Sequence, residues 1–124
     1  MAKKGGKEET PELSGSRRGM VVGALQRGFQ DHLRFTQGRI PEIATLNDIY
    51  MAIAYTVKDR LLYRWVRSSQ RYMKGGVRAV SYLSAEFLMG PQLANNLINL
   101  GIHEDVRDAV TKSGGTWDAI LDHE

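Results

Sequence analysis

The sequence contains no cysteine. This excludes a disulfide framework, a thiolate metal site and a cysteine nucleophile, and it fits a reducing compartment. No apolar run approaches the roughly 20 residues that a membrane-spanning helix needs. The basic start after Met1 is not followed by the apolar region of a secretory signal. We therefore expect a cytoplasmic protein without a membrane partner.

The length and composition suit one globular domain, or part of one. The chain has 124 residues, of which 42% are hydrophobic and 25% are charged. These shares are ordinary for a folded protein. Residues 1–18 differ from the rest, because they are rich in Lys, Glu, Gly and Ser and show no periodicity. We predict a disordered tail over 1–18 and a folded portion over 19–124.

A long amphipathic helix is predicted for 45–73. Thr45 and Asp48 have the spacing of a capping box, and Gly75 marks where the helix must stop. The apolar residues between them are three or four positions apart, so they share one face. They are Leu46, Ile49, Tyr50, Ile53, Val57, Leu61 and Trp65. Such a helix is roughly 40 Å long and suits the edge of something larger.

The remaining pattern predicts shorter helices and one strand. Helices are expected over 20–37, from Pro91 to Gly101, and over 103–113, with a last turn at 116–121. Residues 77–83 are rich in β-favouring side chains and read as a strand. The predicted fold is mostly α-helical with one short strand. A single strand cannot form a sheet, so its partners must lie in another chain or in further sequence.

Four arginines lie along one face of the long helix. Their spacing of four, three and four stacks Arg60, Arg64, Arg67 and Arg71 on the long helix. Guanidinium groups suit phosphate or carboxylate, so the stripe could bind an anionic partner in a stand-alone interaction module. The alternative is a solvated face placed well for the helix C-terminus, and spacing alone favours it. An acidic segment at 101–124 and the lack of an aromatic stacking platform count against nucleic acid.

Glu86 is the other candidate site residue. It follows the predicted strand, where a carboxylate often lines a cleft and accepts hydrogen bonds from a ligand. It can equally be a helix-start carboxylate or a salt-bridge partner. The histidines His32, His103 and His123 lack metal-ligand spacing, so no metal site is expected.

Several blocks of sequence resemble the glycogen/starch (α-glucan) phosphorylases. Residues 47–60 (NDIYMAIAYTVKDR) and 64–67 (RWVR) are similar to that family's long N-terminal helix. Residues 82–90 (YLSAEFLMG) look like its first core strand and the following loop. This segment resembles the bacterial members of the family more than the animal ones. Residues 95–101 and 29–36 continue the similarity. The resemblance covers roughly 25–124, and the order of the blocks makes it specific.

The resemblance implies an α/β parent with two domains of the glycosyltransferase B type, of which 19–124 would be an incomplete N-terminal portion. Such enzymes cleave the terminal α-1,4 bond of an α-glucan with inorganic phosphate and release glucose 1-phosphate. They are homodimers and hold pyridoxal 5'-phosphate on a lysine of the C-terminal domain. That lysine would be absent here, so the resemblance implies a chain that is inactive alone.

The resemblance also assigns individual residues. Glu86 matches a family glutamate near the active site, which would give it a role in substrate binding. Trp65 and Gln70 match positions in the nucleotide-effector site of animal enzymes. Arg67 is the same type of residue as the one that faces the phosphate in that site. The residues at 69 and 73 depart from that site, which argues against an AMP site.

Overall fold

The computed structural model describes residues 15, 17–86 and 90–124. The predicted tail lies outside the described residues, except for 15, 17 and 18. Five α-helices occur in the described part, with a π-helical turn His32–Thr36 that continues the first of them and a 3-10 turn Pro41–Ile43. The helices are α1 (Val22–Asp31), α2 (Leu46–Gly75), α3 (Leu93–Leu100), α4 (His103–Lys112) and α5 (Trp117–Leu121).

The long helix begins and ends as its sequence predicts. The Thr45 hydroxyl accepts the backbone N–H of Asp48 at 3.2 Å, and Asp48 Oδ2 accepts the backbone N–H of Thr45 at 3.0 Å. This reciprocal pair satisfies two of the free donors at the helix start. At the other end Gly76 takes the left-handed conformation, with φ of 57°. The capping-box and glycine predictions are confirmed.

The core lies against the first half of α2. All six buried residues of the helix fall between Asp48 and Arg60, and Ile53 and Val57 meet α1, α3 and α4 there. Beyond Leu61 the helix continues for some four turns, roughly 21 Å, without a buried side chain. The core therefore covers only the middle of the predicted apolar face, since Leu46 is 42% exposed and Trp65 is 65% exposed.

The predicted strand does not form. Residues 77–83 belong to no helix or strand, and the part of the chain described here contains no strand. Val80 and Leu83 are almost fully exposed, at 96% and 91%. A strand is stabilised by pairing and by burial of one face, and neither is supplied within the described residues. The fold described is helical.

The two ends of α3 are capped in different ways. Gly101, with φ of 71°, ends α3, and Ile102 N–H donates to the Leu97 carbonyl at 3.0 Å. Ile102 is buried in the core, which completes the hydrophobic contact of a Schellman motif. At its start α3 begins at Leu93, so Pro91 lies before the helix and not in its first turn as predicted. The Glu124 carboxylate accepts the Leu93 N–H at 2.9 Å in place of a local cap.

A buried arginine joins the segment before α1 to α2. Arg60 is 0% exposed. Its Nε and Nη2 donate to the Gly19 carbonyl at 3.0 and 2.8 Å, and its Nη1 donates to the Thr56 carbonyl at 2.7 Å. A guanidinium offers five N–H donors, and here all three of its nitrogens donate to backbone carbonyl oxygens. Arg60 is therefore a structural cross-link, and its predicted place on an exposed stripe is wrong.

We expect Arg60→Ala to destabilise the chain by about 3 kcal/mol, because it leaves a cavity and buried carbonyls without donors. The measurement is the free energy of unfolding from urea titration followed by circular dichroism. Arg71→Ala is the matched control, since Arg71 is exposed and its loss should change stability by less than about 0.5 kcal/mol. Equal effects of the two substitutions would show that Arg60 does not anchor the fold.

The capping box makes stability depend on pH. The hydrogen bonds from Thr45 lower the pKa of Asp48 below its ordinary value of 3.8. A carboxyl with a lowered folded pKa stabilises the fold above its unfolded pKa, and this contribution is lost as pH falls through the folded pKa. The urea midpoint of Asp48→Asn should therefore fall less than that of the wild type between pH 6 and pH 3. Parallel curves would contradict the assignment.

Candidate functional site

The second half of α2 carries an open basic groove. Its volume is about 620 Å³, and none of the residues that line it is acidic. All of them come from α2, where spacings of three and four residues bring their side chains to the same side. The groove is lined by Arg64, Arg67, Ser68, Gln70, Arg71 and Lys74.

Two of the groove arginines are held in place by neighbours. Arg64 Nη2 donates to the Leu100 carbonyl at 3.4 Å. The Arg67 guanidinium lies 5.7 Å from the centre of the Tyr63 ring, and Arg18 lies at the same distance from that ring. Stacking on an aromatic face orients a guanidinium and leaves its edge free to donate.

The structure brings together some of the predicted anion-binding residues and separates others. Arg64, Arg67, Gln70 and Arg71 line one groove. Arg60 is fully buried, and Trp65 is exposed but does not line the groove. Sequence reasoning missed two lining residues, Ser68 and Lys74. Their spacing of four from Arg64 and three from Arg71 was a usable signal.

The groove is chemically suited to an anion. Three guanidinium groups and one ammonium group face one space without a carboxylate among the lining residues. Guanidinium forks pair with phosphate or carboxylate oxygens through two parallel hydrogen bonds. The groove is open to water, so salt would screen its attraction for a ligand strongly.

Glu86 lies in an exposed turn apart from the groove. The Ser84 hydroxyl donates to the Glu86 carbonyl at 2.7 Å and accepts the Glu86 N–H at 3.2 Å. This local turn fixes the Glu86 backbone and leaves its carboxylate in solvent. Within the described residues, Glu86 forms no ion pair and no enclosed cleft surrounds it.

The sequence did not predict a contact between the buried His32 and Asp59. His32 Nε2 lies 2.9 Å from Asp59 Oδ2, and His32 Nδ1 lies 2.9 Å from the Thr36 hydroxyl. His32 and Asp59 are 27 residues apart, so local spacing carries no signal for this contact. Asp59 also meets Arg17 at 3.6 Å. No group of three or more potential metal ligands occurs among the residues that the structure describes.

The last turn of the chain closes on α2. The Tyr50 ring lies 5.6 Å from the His123 ring. Burial raises the pKa of the Tyr50 phenol, and the Glu124 carboxylate adds to the rise. Among the described helices, none is long and apolar enough to cross a membrane.

The comparisons with known proteins point to phosphorylases. No family model matches the chain. It is similar to the glycogen phosphorylase of Synechocystis sp., with 50% identity over 113 residues, which are 91% of this chain and 13% of that protein. It is 41% identical over 93 residues to the liver form of Homo sapiens and 39% identical over 93 residues to the brain form of Bos taurus. Each of these two matches covers 75% of this chain and 11% of the relative.

The chain thus corresponds to part of a phosphorylase. Over most of its length it matches a fragment of the glycogen phosphorylase family, as its sequence blocks predict. The chain spans only about an eighth of the length of the curated relatives it matches, since the covered share is 11 to 13%.

The groove should bind a small oxyanion. We expect phosphate at low ionic strength to shift the backbone amide NMR signals of 64–74. The double variant Arg67→Gln/Arg71→Gln should weaken this binding by about tenfold, because two charge-assisted hydrogen bonds are lost. Arg27→Gln, which removes an exposed cation from α1, should leave the affinity unchanged. Shifts that are absent, or that survive in the double variant, would contradict an anion site.

Proposed function

We propose that this chain is the N-terminal segment of an α-glucan phosphorylase, an enzyme that uses inorganic phosphate to cleave terminal α-1,4-glucosidic bonds and releases glucose 1-phosphate. The observation that carries the proposal is the 50% identity to a glycogen phosphorylase over 91% of the chain. The α/β two-domain fold, the glucan and phosphate substrates, the homodimer and the cytoplasmic location of the parent enzyme are parts of the same proposal.

The geometry supports a segment that needs further protein around it. The second half of α2 has no core of its own. The segment after it exposes Val80 at 96% and Leu83 at 91%. Apolar side chains left in water forgo roughly 1.5 to 3 kcal/mol each relative to full burial. A parent in which other elements cover 77–83 and pair its backbone would recover this free energy.

Pyridoxal 5'-phosphate does not fit the described part of this chain. A Schiff-base lysine has to sit in an enclosed pocket that also holds the cofactor's phosphate. The lysines of the described part are Lys58, Lys74 and Lys112, and all three are exposed. Lys58 lies over the Tyr55 ring, and Lys74 lines the open groove. We therefore assign the cofactor to the parent enzyme.

Two features of this segment would serve the parent enzyme. Glu86 would bind substrate once other elements enclose the exposed turn that carries it. The basic groove would hold an effector anion, with Arg64, Arg67, Gln70 and Arg71 as its donors, and the exposed Trp65 would contact the effector from outside the groove lining. The residues at 69 and 73 depart from the animal nucleotide site, so we favour an anion other than AMP.

A chimera tests the enzymatic part of the proposal. The matched 113-residue segment of the Synechocystis glycogen phosphorylase would be replaced by the corresponding segment of this chain. The chimera should release glucose 1-phosphate from glycogen and phosphate, and Glu86→Gln within it should lower kcat/KM by at least about tenfold. Glu104→Gln, an exposed carboxylate on α4, is the matched control. A folded chimera without activity, or a Glu86→Gln variant with full activity, would overturn the proposal or the role of Glu86 respectively.

The 124-residue chain alone should show no phosphorolysis, because its described part supplies neither a cofactor pocket nor a closed substrate site. The measurement is glucose 1-phosphate release from glycogen with pyridoxal 5'-phosphate and phosphate, and the Synechocystis enzyme is the positive control. Release above the blank would disprove the inactivity.

The basic groove supports a second candidate function, a stand-alone module that binds an anionic partner. Four cations on one helix face are the feature that favours it. Binding of a polyanion such as heparin would fall steeply with salt. An active chimera together with weak, salt-insensitive heparin binding would favour the phosphorylase segment.

A further inference from the structure

The carboxylate of Glu124 caps a helix that lies far from it in the sequence. Glu124 Oε1 accepts the backbone N–H of Gln92 at 2.5 Å and that of Leu93 at 2.9 Å, and Oε2 lies 2.9 Å from the Leu93 nitrogen. These two residues are 32 and 31 positions away from Glu124. No side chain at Gln92 caps α3 locally. The start of α3 is therefore held by a carboxylate from the turn that follows α5.

The cap fixes where α3 begins. The helix has only eight residues, Leu93–Leu100, and a helix of this length is marginal in water without support. The first N–H groups of a helix lack partners within it, and a carboxylate placed there forms charge-assisted hydrogen bonds at the positive end of the helix dipole. A local serine or aspartate cap would satisfy the same donors. Only a distant residue such as Glu124 also ties the start of α3 to α5.

The turn that carries Glu124 is itself fixed against α2. Ile120 of α5 is fully buried in the core. His123 Nε2 lies 3.3 Å from Asn47 Oδ1, and the His123 ring lies 5.6 Å from the Tyr50 ring. Burial raises the pKa of the Tyr50 phenol, and the charge of Glu124 and a hydrogen bond with its carboxylate raise it further. The folded core thus sets the position of the Glu124 carboxylate.

The start of α3 is also the end of the segment that carries Glu86. Between Gly76 and Leu93 the described residues, 77–86 and 90–92, belong to no helix or strand. Glu86 lies six positions before Gln92. The hydrogen bonds with the Ser84 hydroxyl fix the Glu86 backbone only locally. Because an irregular segment is placed by the elements that hold its ends, the cap on α3 determines where the segment with Glu86 ends.

We propose that Glu124 is a positioning residue for Glu86, because its carboxylate fixes the point at which the segment with Glu86 enters α3. This role rests on the proposed function, in which Glu86 binds substrate. A binding group has to be held within about 0.5 Å of its productive place, and a misplacement of about 1 Å can lower a rate by about a hundredfold. Loss of the Glu124 carboxylate would release the end of the segment and let Glu86 shift, while Ile120 keeps α5 on the core.

The first measurement is amide hydrogen exchange in the 124-residue chain. Glu124→Ala should speed the exchange of the Gln92 and Leu93 N–H groups by about tenfold or more, because the carboxylate is their acceptor. Asp122→Ala removes an exposed carboxylate from the same turn and should leave both rates unchanged. Exchange that is unchanged in Glu124→Ala would overturn the cap, and the positioning role with it.

The second measurement is a double-mutant cycle in a chimera that carries this chain through Glu124 within the Synechocystis enzyme. Glu124→Ala should lower kcat/KM by about fivefold or more when Glu86 is present. In the Glu86→Gln background it should lower kcat/KM by less than about twofold, since a group that is already lost cannot be misplaced. Asp122→Ala should leave kcat/KM unchanged in both backgrounds.

The cycle separates positioning from simple stabilisation of the fold. A loss that depends on Glu86 would support the proposal, whereas equal losses in both backgrounds would overturn it. The milder Glu124→Gln keeps one acceptor oxygen and should show a smaller loss with the same dependence on Glu86. It decides the question if circular dichroism shows that the alanine variant does not fold. An unmutated chimera that folds but lacks activity would instead overturn the phosphorylase function, and the role of Glu124 with it.

Discussion

The packing around the first half of α2 is the constraint on which the rest of the structure depends. Four other helices contact α2 or one another around the residues from Asp48 to Arg60, and every buried side chain of α2 lies in that stretch. Hydrophobic burial alone would not fix how the segment before α1 enters this core. Arg60 does so, because its fully buried guanidinium needs the Gly19 and Thr56 carbonyls as acceptors.

This one-sided packing explains where the basic groove lies. A helix that is covered along its whole length keeps few side chains for a ligand, whereas α2 leaves its second half in solvent. The cations of that half are tolerated there because water and salt screen their repulsion. The same half exposes Trp65, Tyr72 and Met73. A bare helix of this composition is consistent with a chain that spans about an eighth of its curated relatives.

Local physical chemistry made most of the helical structure predictable. The capping box at Thr45, the apolar spacing through Ile53 and Val57, and the left-handed glycine at 101 depend on residues within a few positions of one another. The predicted strand at 77–83 failed because strand formation depends on distant partners. Arg60 and the pair His32 and Asp59 were misread or missed for the same reason. Helical spacing places Arg60 on the line of Arg64, but only tertiary packing decides which of the two is buried.

The basic groove and the Arg60 cross-link differ in how much of the fold they require. The groove is built from one helix, so its charge pattern exists wherever that helix forms. The bonds from Arg60 to the Gly19 carbonyl exist only when the core brings the segment before α1 to α2, because these residues are 41 positions apart. Single-sequence reasoning therefore reached the groove through spacing and could not reach the cross-link.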